Sequence, residues 1–130
     1  MKRTTVVFPR QTFVTPDGKP TTYRHDSNLF AVLGQAKVIV LQLHGHRATA
    51  NAKVTLQAYA SALPGEHPSE VGAVQGQAMV VQDQTLRPPF VEISGNFHGL
   101  VEILLTIEHK TGGISQEEFD LEVVATLILD

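Results

Sequence analysis

The chain has 130 residues, 42% of them hydrophobic and 18% charged, with ten glycines, seven prolines and a formal charge of −3. That suits one folded domain, long enough to bury roughly two-thirds of its unfolded surface without staples. The absence of cysteine excludes disulfides, thiolate metal sites and cysteine nucleophiles, and so mild a charge gives no electrostatic case for nucleic acid or an anionic membrane as partner.

The chain opens Met1-Lys2-Arg3-Thr4-Thr5-Val6-Val7-Phe8-Pro9, and its apolar run ends after three residues. A signal peptide needs an apolar region of about 7–15 residues, so none is expected. The apolar run at 38–43 falls far short of the ~20 residues of a membrane span. Synthesis in the cytosol is the expectation, which leaves incorporation into a virion or other particle open.

Residues 1–28 are set apart as an N-terminal arm, or an edge strand with its loop, and residues 29–130 as the main domain. Thr4 to Phe8 suit a strand. Pro9, Pro16, Gly18 and Pro20 then punctuate a polar segment in which Thr15-Pro16-Asp17-Gly18 is a turn signal, because proline presets φ and Asp-Gly accepts the bend. Residues 11–15 and 21–24 are expected to pair as a short hairpin.

From residue 29 onward the hydrophobic period is two. Strands are expected at 29–33 and 36–46. Val54, Leu56, Ala58, Ala60 and Ala62 then alternate with polar partners, and this strict alternation outweighs the weak strand propensity of alanine. A long irregular segment at 62–76, with room for one helical turn near Ser69 and Glu70, leads to strands at 77–84 and 90–94. Val101, Ile103, Leu105 and Ile107 alternate next, and then Phe119 through Leu129. Turn signals every ten to fifteen residues and no helical stripe indicate an all-β antiparallel sandwich, jelly-roll or Greek-key, of about eight strands.

Few residues carry chemistry. His44 and His46 would share one strand face and are the candidate metal pair, with His98 or His109 as a third ligand. Glu102, Glu108, Asp120 and Glu122 alternate with apolar residues, as the wet side of a sandwich does. The sequence lacks a Gly-x-Ser-x-Gly elbow and a glycine-rich phosphate cradle, and Gly95-Asn96-Phe97-His98-Gly99 suits only a tight loop. Tyr59 is the candidate platform for a sugar ring. Gln75, Gln77, Gln82 and Gln84 make an uncharged, hydrogen-bonding stretch, and the chain is apolar almost to its end, through Leu127, Ile128 and Leu129. Val6, Phe8, Phe13, Leu127 and Leu129 are therefore the candidate interface residues.

The order of elements after residue 35 resembles small β-sandwich structural proteins of phage and prophage head–tail modules. It begins with Ala36-Lys37-Val38-Ile39-Val40-Leu41-Gln42-Leu43 and Ala52-Lys53-Val54-Thr55-Leu56-Gln57-Ala58. After a long loop come Phe90-Val91-Glu92-Ile93-Ser94-Gly95 and Leu100-Val101-Glu102-Ile103-Leu104-Leu105, and Phe119-Asp120-Leu121-Glu122-Val123-Val124-Ala125 closes it. The resemblance implies no catalysis, no cofactor, and function by self-association or docking. The sequence is thus read as a non-enzymatic structural protein, a homo-oligomer or a component of a virion-like assembly. A carbohydrate-binding sandwich module is the alternative, and a metal-dependent enzyme using His44 and His46 the third reading.

Overall fold

A computed structural model describes residues 1–60, 74–81, 90–94 and 101–129. Its strands are β1 (Lys2–Thr15), β2 (Thr21–Arg24), β3 (Val38–Ala48), β4 (Ala52–Ala60), β5 (Val74–Val81), β6 (Phe90–Ser94), β7 (Val101–His109) and β8 (Glu117–Ile128), with one short helix, α1 (Leu29–Leu33), before β3. They form two four-stranded sheets in the orders β1-β8-β3-β6 and β2-β7-β4-β5. Neighbours pair antiparallel. The path crosses repeatedly between sheets and ends with β8 inserted between β1 and β3, which is the strand order of an eight-stranded jelly roll.

The two-residue period becomes the core directly. In β8 every second residue from Glu117 is buried, so Phe119, Leu121, Val123, Ala125 and Leu127 face inward. The other sheet contributes Val54, Leu56 and Ala58 from β4 and Val101, Ile103, Leu105 and Ile107 from β7. Burying such a side chain contributes about 1.5–3 kcal/mol, which makes the two inner faces the main source of stability.

Two local expectations are corrected, and one strand is irregular. Residues 29–33 form α1, not a strand. Asp26 starts it, accepting from Asn28 N–H through its side chain and from Leu29 N–H through its carbonyl. Leu29, Val32 and Leu33, at helical spacing, then lie against the core. The hairpin between 11–15 and 21–24 is not formed. The turn between them carries the chain from one sheet to the other, so β1 pairs with β8 and β2 with β7. Finally, β1 departs from strict alternation. Its register runs Val6↔Val124, Phe8↔Val123, Gln11↔Leu121, so it carries extra residues on either side of Phe8. The first bulge lets consecutive Val7 and Phe8 both enter the core, and Phe8 meets Phe13 edge-to-face at 5.8 Å.

Candidate functional site

The sandwich gathers its polar chemistry at one end, where the β1–β2, β3–β4 and β7–β8 connections meet. His109 N–H donates to the Gly18 carbonyl at 2.9 Å, and Lys110 N–H to the Asn51 carbonyl at 2.8 Å. Beneath them the buried Glu117 carboxylate accepts hydrogen bonds from the Thr49 and Ser115 hydroxyls. His109 Nδ1 lies 3.2 Å from the Thr111 N–H that donates to it. The proton therefore sits on Nε2, 3.9 Å from a Glu117 oxygen. Each of these polar groups is committed to another, so the cluster clamps three connections and presents no activated nucleophile. Glu117 occupies the inward register of β8, one place before Phe119. A carboxylate on an otherwise apolar register was the sequence signal for this cluster, and the sequence reading passed over it.

A cleft of about 380 Å³ beside the clamp is lined by Thr12, Arg47, Ala48, Thr49, Glu118 and Asp120. Its carboxylates are engaged, Asp120 by Arg10 at 3.3 Å and Glu118 by Gln116 at 2.9 Å.

The candidate metal pair sits at a bulge. On β3, Gly45 pairs with Leu121 and Arg47 with Asp120, so His46 is the extra residue and the regular alternation on which a shared face rests is interrupted there. His44 stands opposite Glu122. No group of three or more His, Asp or Glu gathers for a metal among the described residues. His98 lies outside them.

The carboxylates expected on a wet face divide. Glu108 is half-buried, 3.5 Å from Lys53. Glu102 is fully buried and 2.8 Å from Arg24, whose side chain is largely exposed. Tyr59 lies on β4 opposite Glu102 and Gln75, but its side chain falls outside the described residues.

Of the candidate interface residues, Phe8, Phe13 and Leu127 lie in the chain's own core. The apolar ending is explained by the position of β8, which is interior to its sheet. Leu129 is half-buried against the core, its N–H donating to the Met1 carbonyl. Val6 stays 44% exposed. It belongs to a surface that the sequence reading did not assemble. Across β1, β8 and β3 the outward rows read Lys2, Ile128, Val38; then Thr4, Thr126, Val40; then Val6, Val124, Gln42. Lys2 is the charged residue of these rows on the three strands, and on β6 the exposed Glu92 continues the row of Val40. Beyond them the same face turns charged, through Glu122, Asp120, Arg47 and Glu118.

The sequence matches no protein-family model and no curated protein. The fold does have solved counterparts. The VP2 protein of infectious bursal disease virus, crystallised as a subviral particle, aligns with 98% of this chain at a TM-score of 0.52 and 13% identity. The chain spans about a third of that protein, 33% of its length. A second structure of the same virus, Gt strain, gives a TM-score of 0.40 at 8% identity, covering 98% of this chain and 33% of that one. A Bacillus endospore appendage protein of disulfide-linked pili gives 0.38 at 14% identity, covering 97% of this chain and 91% of that one. The VP2 likeness shows a shared fold. No helix among the described residues is long and apolar enough to cross a membrane.

Proposed function

We propose that this chain is a non-enzymatic structural protein that associates with copies of itself in a larger, particle-like assembly. The observation that carries the reading is the outer face of the β1-β8-β3 sheet. Val6, Val38, Val40, Val124 and Ile128 lie on one β-branched surface that is not fully buried, with threonines between them, Lys2 at one margin and the exposed Glu92 beside Val40 at the other. Exposed apolar surface of this kind marks interaction sites, and sheet faces pack against sheet faces about 10 Å apart. The fold shared with a protein crystallised as a subviral particle supports the same reading. So does the polar clamp, whose donors and acceptors serve to hold connections together.

Sedimentation of the full chain tests this. The wild type should sediment as an oligomer whose mass rises with concentration, and Val124→Glu should lower that mass while leaving the β-sheet circular dichroism unchanged. Val124 is an outward residue, so a folded variant is expected. A single-chain mass at every concentration would overturn the reading.

A further inference from the structure

Three large apolar side chains stand exposed among the described residues, Met1 at 78%, Val6 at 44% and Ile114 at 87%. Met1 and Val6 stand at β1, the edge of the sheet whose outer face is read as a contact. Ile114 lies apart from it, in the β7–β8 connection, and the turn that carries it is fixed. Thr111 N–H donates to His109 Nδ1 at 3.2 Å, and Gly112 N–H to the His109 carbonyl at 3.1 Å. Gly113 packs so closely on the imidazole that a Cβ there would lie 2.6 Å from Nε2, and the Ser115 hydroxyl donates to buried Glu117 at 3.0 Å. The polar clamp therefore holds both flanks of Ile114 and leaves its side chain in water. A residue held ready in this way loses little freedom when it meets a partner.

A recess lies elsewhere on the chain. Between β1, the end of β2 and the start of α1 is a cavity of about 300 Å³. It sits where the two register shifts of β1 interrupt the pairing with β8. Buried Val7 and Phe8 line it together with Val6, Pro9 and Leu29. Its polar side is already engaged: Arg24 is paired with Glu102, and His25 Nδ1–H donates to the Asp26 carbonyl at 2.8 Å. Small-molecule sites occupy ~300–1,000 Å³, and a recess at the bottom of that range with an apolar wall suits one branched side chain.

We infer that Ile114 of one copy seats in the β1–β2 recess of another. This deepens the assembly reading and rests on it. Knob and recess are separate parts of one chain, so the contact is heterologous, and each copy gives one knob and receives one. Contacts of that kind propagate into rings or open arrays, whereas a self-complementary contact through the outer β1-β8-β3 face closes at a dimer. The surroundings are compatible. The turn from Thr111 to Gln116 contains no charge, so nothing in it repels Asp26 or the Arg24–Glu102 pair at the rim. Gln116 Nε2 uses one N–H on Glu118, and its amide carries a second for the exposed Asp26 carboxylate. An apolar anchor in a pocket with a polar rim is the arrangement found at the centres of protein interfaces.

The test begins with light scattering of the full chain. Ile114→Asp should weaken self-association at least tenfold and hold the species at two chains or fewer, while Ile114→Leu stays close to wild type. Ile114 is almost wholly exposed, so both variants should fold. The second measurement uses the absence of cysteine from the chain. Gln116→Cys beside the knob and Asn28→Cys on the rim, both at exposed positions, are made as separate chains. Mixed under mild oxidation, they should form disulfide-linked dimers that join one variant to the other, far in excess of those either variant forms alone. This leaves Ile114 in place and decides the matter even where Ile114→Asp fails to fold. An oligomeric wild type with mass unchanged by Ile114→Asp, or a mixture that links the two variants no more than each links to itself, overturns this contact and leaves the assembly reading standing. A monomeric wild type overturns both.

Discussion

Gly18 and Gly112 both adopt positive φ, 76° and 78°, yet they are under different constraints. A Cβ on Gly112 would meet nothing within 4 Å, whereas one on Gly18 would lie 2.1 Å from the Gly113 carbonyl oxygen. Left-handed backbone alone costs an L-residue roughly 1–2 kcal/mol. Gly112→Ala should therefore lose about that much stability. Gly18→Ala should lose clearly more, because its clash is with backbone at the clamp. Urea unfolding of the two variants measures the difference, and equal losses would contradict the account. Thr49 offers a second comparison. Its hydroxyl donates to buried Glu117 and accepts from Glu118 N–H. Thr49→Val strands those partners and should cost about 1–3 kcal/mol. Thr22 bonds Thr106 in the open, 3.0 Å away, and Thr22→Val should stay within about 0.5 kcal/mol of wild type in the same denaturant series.

At the scale of elements, β1 decides how the N-terminal segment is to be understood. It covers β8 from Lys2 to Thr15 and carries Val7, Phe8 and Phe13 into the core. Side chains of that kind contribute about 1.5–3 kcal/mol each, so losing them together rivals the whole 5–15 kcal/mol stability of a small domain. A chain lacking residues 1–28 should show no cooperative thermal transition by circular dichroism. One that melts cooperatively near the wild-type temperature would mean that the segment is dispensable.

The strands β3, β4, β6, β7 and β8 were legible because a two-residue period survives almost unbroken in Leu121, Val123, Ala125 and Leu127, and in Val101, Ile103, Leu105 and Ile107, whereas β5 begins at Val74, inside the segment expected to be irregular. Where the period breaks, reading by alternation fails for physical reasons. Five apolar residues at 29–33 are too few to separate one helical turn from a strand by period, and the local cue was the cap at Asp26. The bulges around Phe8 and at His46 depend on pairing with β8, a partner more than 70 residues away. The candidate surfaces were harder still. Phe8, Phe13 and Leu127 are apolar enough to suggest an interface, and their burial follows only once β8 is known to lie between β1 and β3. Conversely, Val6, Val124 and Val40 share a surface through register, which no linear reading supplies.

For the whole molecule, association through the outer β1-β8-β3 face would draw its affinity from apolar burial. Raising ionic strength should then leave association largely intact, since that contact does not depend on exposed ion pairs, and salt screens those first. Dissociation by moderate salt in a sedimentation series would point instead to the charged half of the face, around Asp120 and Arg47.

The most direct measurement is the solution mass of the intact, untagged chain by multi-angle light scattering across a hundredfold range of concentration. The account predicts masses at multiples of the single chain, increasing with concentration. A mass fixed at one chain throughout would contradict it.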